Sequence, residues 1–406
     1  MIHCATPGAG AKRLLRATIA ALRSASGSVM QVSWDIFCDV VDNYGDVGVT
    51  WRLARQLVAE HGFAVRLWIN DLSAFVRLCP HADPVAARQC QAGVEVCHWP
   101  EDWQPASIPD VVLEAFACRV PEAYTQAMLQ RSPRPVWLNL DYLSAEDWVS
   151  GCHGLPSPQA NGLKKFFFFP GFTEQTGGLL REQSLIAQRQ AFQADPAAQQ
   201  DFLRGLGVQP ESGARLISLF AYENPALGSW LDQLLGEGVV THLLVPQGRI
   251  VGDLQRWLGE GGLQAGAIRR RGALTIQVLP FVAQEQYDRL LWCCDFNVVR
   301  GEDSFVRAQW AARPMLWHIY QQQDDAHRPK LEAFLALYLA TLPAEAAQTT
   351  AELWRAWSAG EEVQEGWQQL NRYWPQMREH AEHWCQQQAA RSDLASALVQ
   401  FYRNSL

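Results

Sequence analysis

Two spacings of apolar residues alternate along this chain. Short apolar runs of strand length are followed by segments with apolar positions every three or four residues, of helix length. The first run, Ile36 to Val41, lies within the stretch Trp34–Gly48. A polar turn through Asp42, Asn43 and Gly45 follows, because these residue types tolerate positive φ or bond their own backbone. A helix is then predicted from about Val47 to His61, with Val49, Leu53, Leu57 and Val58 on one face and Gly62 as the stop.

The same alternation continues. Strands are predicted at 63–70, 94–99, 111–116, 136–140 and 165–169, and helices near 72–78, 121–130 and 181–193. Asp195-Pro196 breaks the pattern, a short helix covers 197–206, and Gly207 to Gly213 has the composition of a linker. A second series opens with a strand at 215–222. Its helices are predicted at 230–235, 254–258, 284–293 and 304–311, and its further strands at 242–246, 275–279, 295–299 and 315–318. From Arg328 the pattern is mostly helical. Two successive α/β domains with largely parallel sheets are implied, over 30–212 and 213–389.

Residues 1–29 stand apart. They carry Lys12, Arg13, Arg16 and Arg23, no acid, and many Ala and Ser. That composition resembles a leader, but the arginines interrupt its apolar part. The segment is expected to be a disordered extension or to precede the true start.

Composition narrows the class. The 406 residues exceed what one core usually holds, and 48% hydrophobic with 19% charged residues is ordinary for a globular protein. A net charge of −8 argues against a nucleic-acid binder, which would show a basic face. Ten cysteines include no CxxC pair and no zinc spacing, so they are expected as buried free thiols in a reducing cytoplasm. The apolar run at 164–172 is too short to span a bilayer, and no membrane association is expected.

Two places carry candidate chemistry. Asp42 and Asp46 are placed at the C-terminal mouth of a strand and the start of a helix, where open α/β sheets bind ligands. On spacing alone, Asp46 is equally an N-cap and Asp42 an Asx turn. The second place is Arg300-Gly301-Glu302-Asp303-Ser304, between a strand and a helix. Amide groups at the helix start, the Ser304 hydroxyl and the Arg300 fork would suit a diphosphate. A capped helix with a surface arginine is the plainer alternative. Neither a GxGxxG nor a Walker sequence is present, so a dinucleotide or ATP loop is not supported.

The stretches Trp34–Gly48 and Arg300–Trp310 together resemble the bacterial protein-arginine rhamnosyltransferases that modify elongation factor P. The resemblance extends from about Met30 to the C-terminus. It implies a GT-B glycosyltransferase, two facing Rossmann-like domains with a central cleft, and a last helix, 390–406, crossing back to the first domain. It also implies dTDP-β-L-rhamnose as co-substrate, with no other cofactor, and elongation factor P as the protein partner. Matched to the family's donor positions are Phe220, Tyr222, Phe281, Gln284, Tyr287, Arg300, Asp303 and Ser304, with Tyr320 a weaker phosphate contact. Aromatics at strand ends suit stacking on thymine, and Gln284 could read its edge.

An arginine acceptor is a difficult nucleophile, because its guanidinium is essentially always protonated. Asp46 is expected as the general base, with Asp42 and Glu302 positioning the guanidinium or shaping the closed cleft. Inversion at the anomeric carbon would follow from attack opposite the diphosphate. With no DxD motif, and Asp324-Asp325 expected as solvated acids, no metal is anticipated. The alternatives are a GT-B transferase with another sugar nucleotide or acceptor, or a non-catalytic protein that binds a nucleotide sugar or a translation factor.

Overall fold

The computed structural model describes residues 31–40, 44–99, 105, 107–116, 118–322 and 325–406. The extension 1–29, the predicted turn through Asp42 and Asn43, and Asp324 lie outside the described residues.

The first half runs β1 (Ser33–Cys38), α1 (Gly45–His61), β2 (Ala64–Ile69), α2 (Leu72–Leu78), β3 (Arg88–Gln91), β4 (Val94–His98) and β5 (Val111–Ala115). It continues with α3 (Glu122–Gln130), β6 (Val136–Leu140), α4 (Asp147–Cys152), β7 (Pro156–Pro158) and β8 (Lys164–Phe168). Its eight strands lie in the order β3-β4-β2-β1-β5-β6-β8-β7. Pairing is parallel except at the two edges, β3 with β4 and β7 with β8. Those edge strands and α4 escaped the sequence pattern. The strands are short and half-exposed, so they carry no continuous apolar run.

After α5 (Leu185–Gln193) and α6 (Pro196–Gly205), the second half runs β9 (Arg215–Leu219), α7 (Leu227–Gly236), β10 (Thr241–Pro246) and α8 (Val251–Leu258). Then come β11 (Ile268–Arg271), β12 (Leu274–Leu279), α9 (Gln284–Cys293), β13 (Phe296–Arg300), α10 (Asp303–Ala311) and β14 (Met315–His318). The strand order is β11-β12-β10-β9-β13-β14, with only β11 antiparallel among the pairs. Every residue of β10 is buried, as expected of a strand covered on both faces. Leu203 and Val208, from α6 and the turn after it, pack against Leu216, Leu244 and Leu279 of this second sheet.

Five helices follow: α11 (His327–Tyr338), α12 (Ala344–Ala359), α13 (Gln364–Leu370), α14 (Trp374–Ala389) and α15 (Leu394–Asn404). Many of the tryptophans close the core between these helices and the second sheet. Trp230, Trp354, Trp357 and Trp367 are at most 2% exposed, and each such ring contributes on the order of 2–3 kcal/mol of burial. The last helix returns to the first domain. Leu394, Leu398, Val399 and Tyr402 join the core around Trp34 and Leu53, and Asp393 caps α15 while accepting from Gln56 of α1 at 3.0 Å. Two Rossmann-like sheets with a helix crossing back are the GT-B architecture implied by the two sequence motifs.

Both sheets reverse their strand order beside their first strand. β1 lies between β2 and β5, and β9 lies between β10 and β13. Reversal splays the following loops apart and opens a crevice at the C-terminal strand ends. The two candidate motifs fall after β1 and after β13.

Candidate active site

The helix after β1 starts at Gly45 rather than Val47, with Tyr44 at the N-cap and no side-chain cap. Asp46 is therefore inside the first turn and is not the capping residue. It is 4% exposed, and the amide-rich helix end favours its carboxylate. Gly48, one turn from the start, allows the second domain to come close. A Cβ there would stand 3.3 Å from Gln284 Nε2 and 3.4 Å from Asp303 Oδ2.

Between β13 and α10 the chain turns at Gly301, whose φ is +61°, a conformation that costs little only for glycine. The Gly301 carbonyl accepts from Trp317 Nε1 at 2.8 Å, which fixes the turn. Glu302 then points towards the first domain, where Leu143 N donates to its Oε2 at 2.9 Å. Burial pushes the Glu302 carboxyl up to about 8. Asp46 and Asp141 add to the rise, while the Leu143 amide and Lys330 oppose it. The same surroundings raise the Tyr142 phenol, through burial first and then Asp46 and Glu302.

Arg300 ends β13. Leu219 pairs with Val298, and Phe220 N donates to Val298 O at 2.9 Å, so the residues after β9 flank the end of β13. The Arg300 guanidinium lies 4.7 Å from the Phe220 ring centre and 4.6 Å from that of Tyr222. It is only 8% exposed, and among the described residues its buried Nη1 has no hydrogen-bond partner. A buried cationic donor without an acceptor marks a place for an anion. Burial, and then Arg300, push His318 down to about 4, so it stands neutral against the edge of Tyr222.

Other predicted donor residues gather here. Tyr287 packs edge-on to Phe220 at 5.7 Å, and Phe281 meets Tyr44 of the first domain at 5.2 Å. The Ser304 hydroxyl donates to the Arg300 carbonyl and accepts from Arg300 N at 3.1 Å, so it also braces the turn. Gln284 and Asp303 face across the domain boundary. Gln284 Nε2 donates to Gly48 O at 3.0 Å and to Asp303 Oδ2 at 3.3 Å, and Asp303 Oδ1 lies 2.9 Å from Arg52 Nε.

Two clefts result. The first, about 670 Å³ with its mouth, is lined by Phe220, Tyr222, Phe281, Gln284, Tyr287, Arg300, Asp303 and Ser304, joined by Tyr44 and Arg52. The second, about 1000 Å³, is lined by Asp46, Phe116, Tyr142, Leu143, Glu302, Trp317, Tyr320, His327 and Lys330. Gly45, Gly301 and Glu302 border both, so the clefts meet at that wall. Tyr320 lies on the second side, its ring 5.4 Å from that of Tyr222. The structure thus brings together every predicted site residue except Asp42, which lies outside the described residues. Among the described residues, no three His, Cys, Asp or Glu side chains converge as metal ligands.

Sequence reading missed Tyr142 and Lys330, whose place on the second cleft depends on folding, and it missed Arg52. A signal for Arg52 existed. Val49, Arg52, Leu53, Gln56 and Leu57 form a single helical stripe, so a charge and an amide interrupt an otherwise apolar face.

The family model for elongation factor P (EF-P) rhamnosyltransferases, EarP, matches residues 34–403. The chain is 62% identical over 377 residues to a protein-arginine rhamnosyltransferase of Pseudomonas putida, covering 93% of this chain and 100% of that one. With its namesake in Pseudomonas aeruginosa it is 58% identical over 374 residues, covering 92% and 100%. A solved structure concerned with EarP-mediated arginine glycosylation of translation elongation factor EF-P matches with a TM-score of 0.67 at 47% identity, covering 93% of this chain and 100% of that one.

Proposed function

From the membership of this chain in the EarP family of elongation factor P rhamnosyltransferases, we propose that it moves L-rhamnose from dTDP-β-L-rhamnose to an arginine of elongation factor P, with inversion and without a metal ion. The observation that carries this reading is the meeting of the two clefts. A cation-bearing aromatic cleft and a cleft with buried carboxylates from both domains share one wall.

In this reading the first cleft takes dTDP. Phe220, Tyr222, Phe281 and Tyr287 offer ring faces and edges to the thymine, and Gln284 an amide to its polar rim. The diphosphate lies at the start of α10, against Arg300 and near Ser304 and Asp303. Arg300 Nη1 supplies an unused donor, and the helix amides supply partial positive charge.

The acceptor guanidinium enters the second cleft between Asp46 and Glu302. Charge-assisted bonds hold it and turn one nitrogen toward the sugar. That nitrogen attacks the anomeric carbon from the face opposite the diphosphate. A C–N bond forms, the C–O bond to dTDP breaks, and the nitrogen's proton passes to Asp46. Arg300 and the helix start stabilise the charge that develops on dTDP. The product is an α-linked rhamnosyl-arginine. Nine free cysteines among the described residues suit a reducing cytoplasm as the place of reaction. Among the described residues, no helix is long and apolar enough to cross a membrane.

The test is co-expression with elongation factor P in cells that make dTDP-rhamnose, followed by peptide mass spectrometry. A single deoxyhexose on one arginine is expected. Unmodified elongation factor P, or transfer from a different sugar nucleotide in a donor panel, would overturn the assignment.

A further inference from the structure

The transfer steps leave one buried charge cluster unused. Arg52, in the second turn of α1, is 1% exposed at its side chain yet belongs to the contacts of the other domain. Its Nε lies 2.9 Å from Asp303 Oδ1. Its Nη1 and Nη2 donate to the two Asp288 oxygens at 3.1 Å each, and Nη2 also donates to the Gln284 carbonyl at 3.3 Å. Arg307 grips Asp288 from the opposite side at 2.9 and 2.7 Å and holds Glu182 at 2.8 Å. Two guanidinium groups thus share three carboxylates, and the cluster carries one excess negative charge.

Asp303 is the carboxylate of this cluster that lines the first cleft. Arg52 is the cation paired with it, its Nε 2.9 Å from Asp303 Oδ1, and Arg52 comes from the helix that bears Asp46 six residues earlier. We propose that Arg52 is a positioning residue for the transfer: it offsets charge on Asp303 beside the incoming diphosphate and sets the acceptor-side helix against the donor loop. This rests on the first cleft being the donor site.

The physical case has two parts. A bare carboxylate at the diphosphate site would oppose the charge that Arg300 and the helix start attract, and the interior screens such repulsion poorly. A planar fork that hydrogen-bonds Asp288 and the Gln284 carbonyl while its Nε edge faces Asp303 also leaves α1 little freedom relative to α9 and α10. Lysine can supply the charge but not the fork. Charge and geometry therefore separate by substitution.

The experiment measures dTDP affinity by calorimetry and turnover on elongation factor P. Arg52→Met is expected to weaken dTDP binding by about tenfold to a hundredfold, the range for one hydrogen bond to a charged group. Adding Asp303→Asn should recover most of that affinity, since the uncompensated charge is gone, while turnover stays low because the cross-domain fork is still absent. Arg52→Lys should bind dTDP nearly as the native chain does but turn over more slowly. General loss of structure would not produce this split between affinity and rate. The proposal falls if Arg52→Met binds dTDP normally, if the double variant binds no better than the single one, or if Arg52→Lys turns over at the native rate. Should thermal melting show Arg52→Met unfolded, Arg52→Lys decides alone by its rate. Failure of the native chain to bind dTDP would remove the donor-cleft reading itself; native binding with no separation among the variants would remove only the role of Arg52.

Discussion

Leu143 N, in the first domain, donates to Glu302 Oε2 of the second at 2.9 Å. One backbone amide thus holds a carboxyl from the opposing domain on the wall between the clefts. Burial pushes that carboxyl up to about 8, so near neutrality it is largely protonated before a guanidinium arrives. Two consequences can be measured. As pH rises through 8 the group ionises, so acceptor KM should fall between pH 7 and 9, and at pH 7 calorimetry in buffers of different ionisation heat should register proton release on acceptor binding. For stability the sign is opposite. A carboxyl whose folded pKa lies above its unfolded value stabilises fully below the ordinary carboxylate range, and that stability is lost as pH rises through 8. Glu302→Gln should remove both dependences; a pH-independent acceptor KM in the native chain would contradict the assignment.

Asp46→Asn preserves shape and removes the proton acceptor. dTDP affinity should stay native, and kcat should fall by about 10²–10⁴, the usual contribution of a positioned base. Near-native turnover would take Asp46 out of that role. Calorimetry with dTDP and single-turnover rates on elongation factor P separate the two effects.

Arg300→Ala deletes the buried fork between Phe220 and Tyr222. dTDP binding should weaken by about tenfold or more, from the loss of a charge-assisted contact. The melting temperature should move little, since Arg300 Nη1 has no hydrogen-bond partner among the described residues. Unchanged affinity would mean that the diphosphate lies elsewhere.

Leaving-group charge is assigned to Arg300 and the start of α10 rather than to a cation. Turnover should therefore persist after dialysis against EDTA and should not rise when Mg²⁺ or Mn²⁺ is restored. A strict requirement for either ion would overturn the metal-free mechanism.

Gly301 takes a φ of +61° where β13 turns into α10. Gly301→Ala should cost about 1 kcal/mol or more of stability and shift Glu302, so acceptor KM should rise more than dTDP affinity falls. Equal losses on both sides would argue that the turn does not aim Glu302.

Apolar spacing by itself determined the central strands and most helices, because periodicity is local and a strand covered on both faces must be apolar throughout. It determined α9 to the residue and placed β13 and α10 to within a residue. The two motifs likewise carried the family. What spacing could not contain was anything held by contacts far apart in the chain. Asp46 passed for a helix cap until Tyr44 took that position. Edge strands such as β3 lacked an apolar face to announce them. Glu302 acquired its raised proton affinity only when the fold buried it and brought Asp46 and Asp141, more than 150 residues away, beside it. Arg52 was one polar interruption on an apolar stripe until Asp288 and Asp303 gave it partners. Burial and electrostatic environment are sums over neighbours in space, and only the tertiary structure decides who those neighbours are.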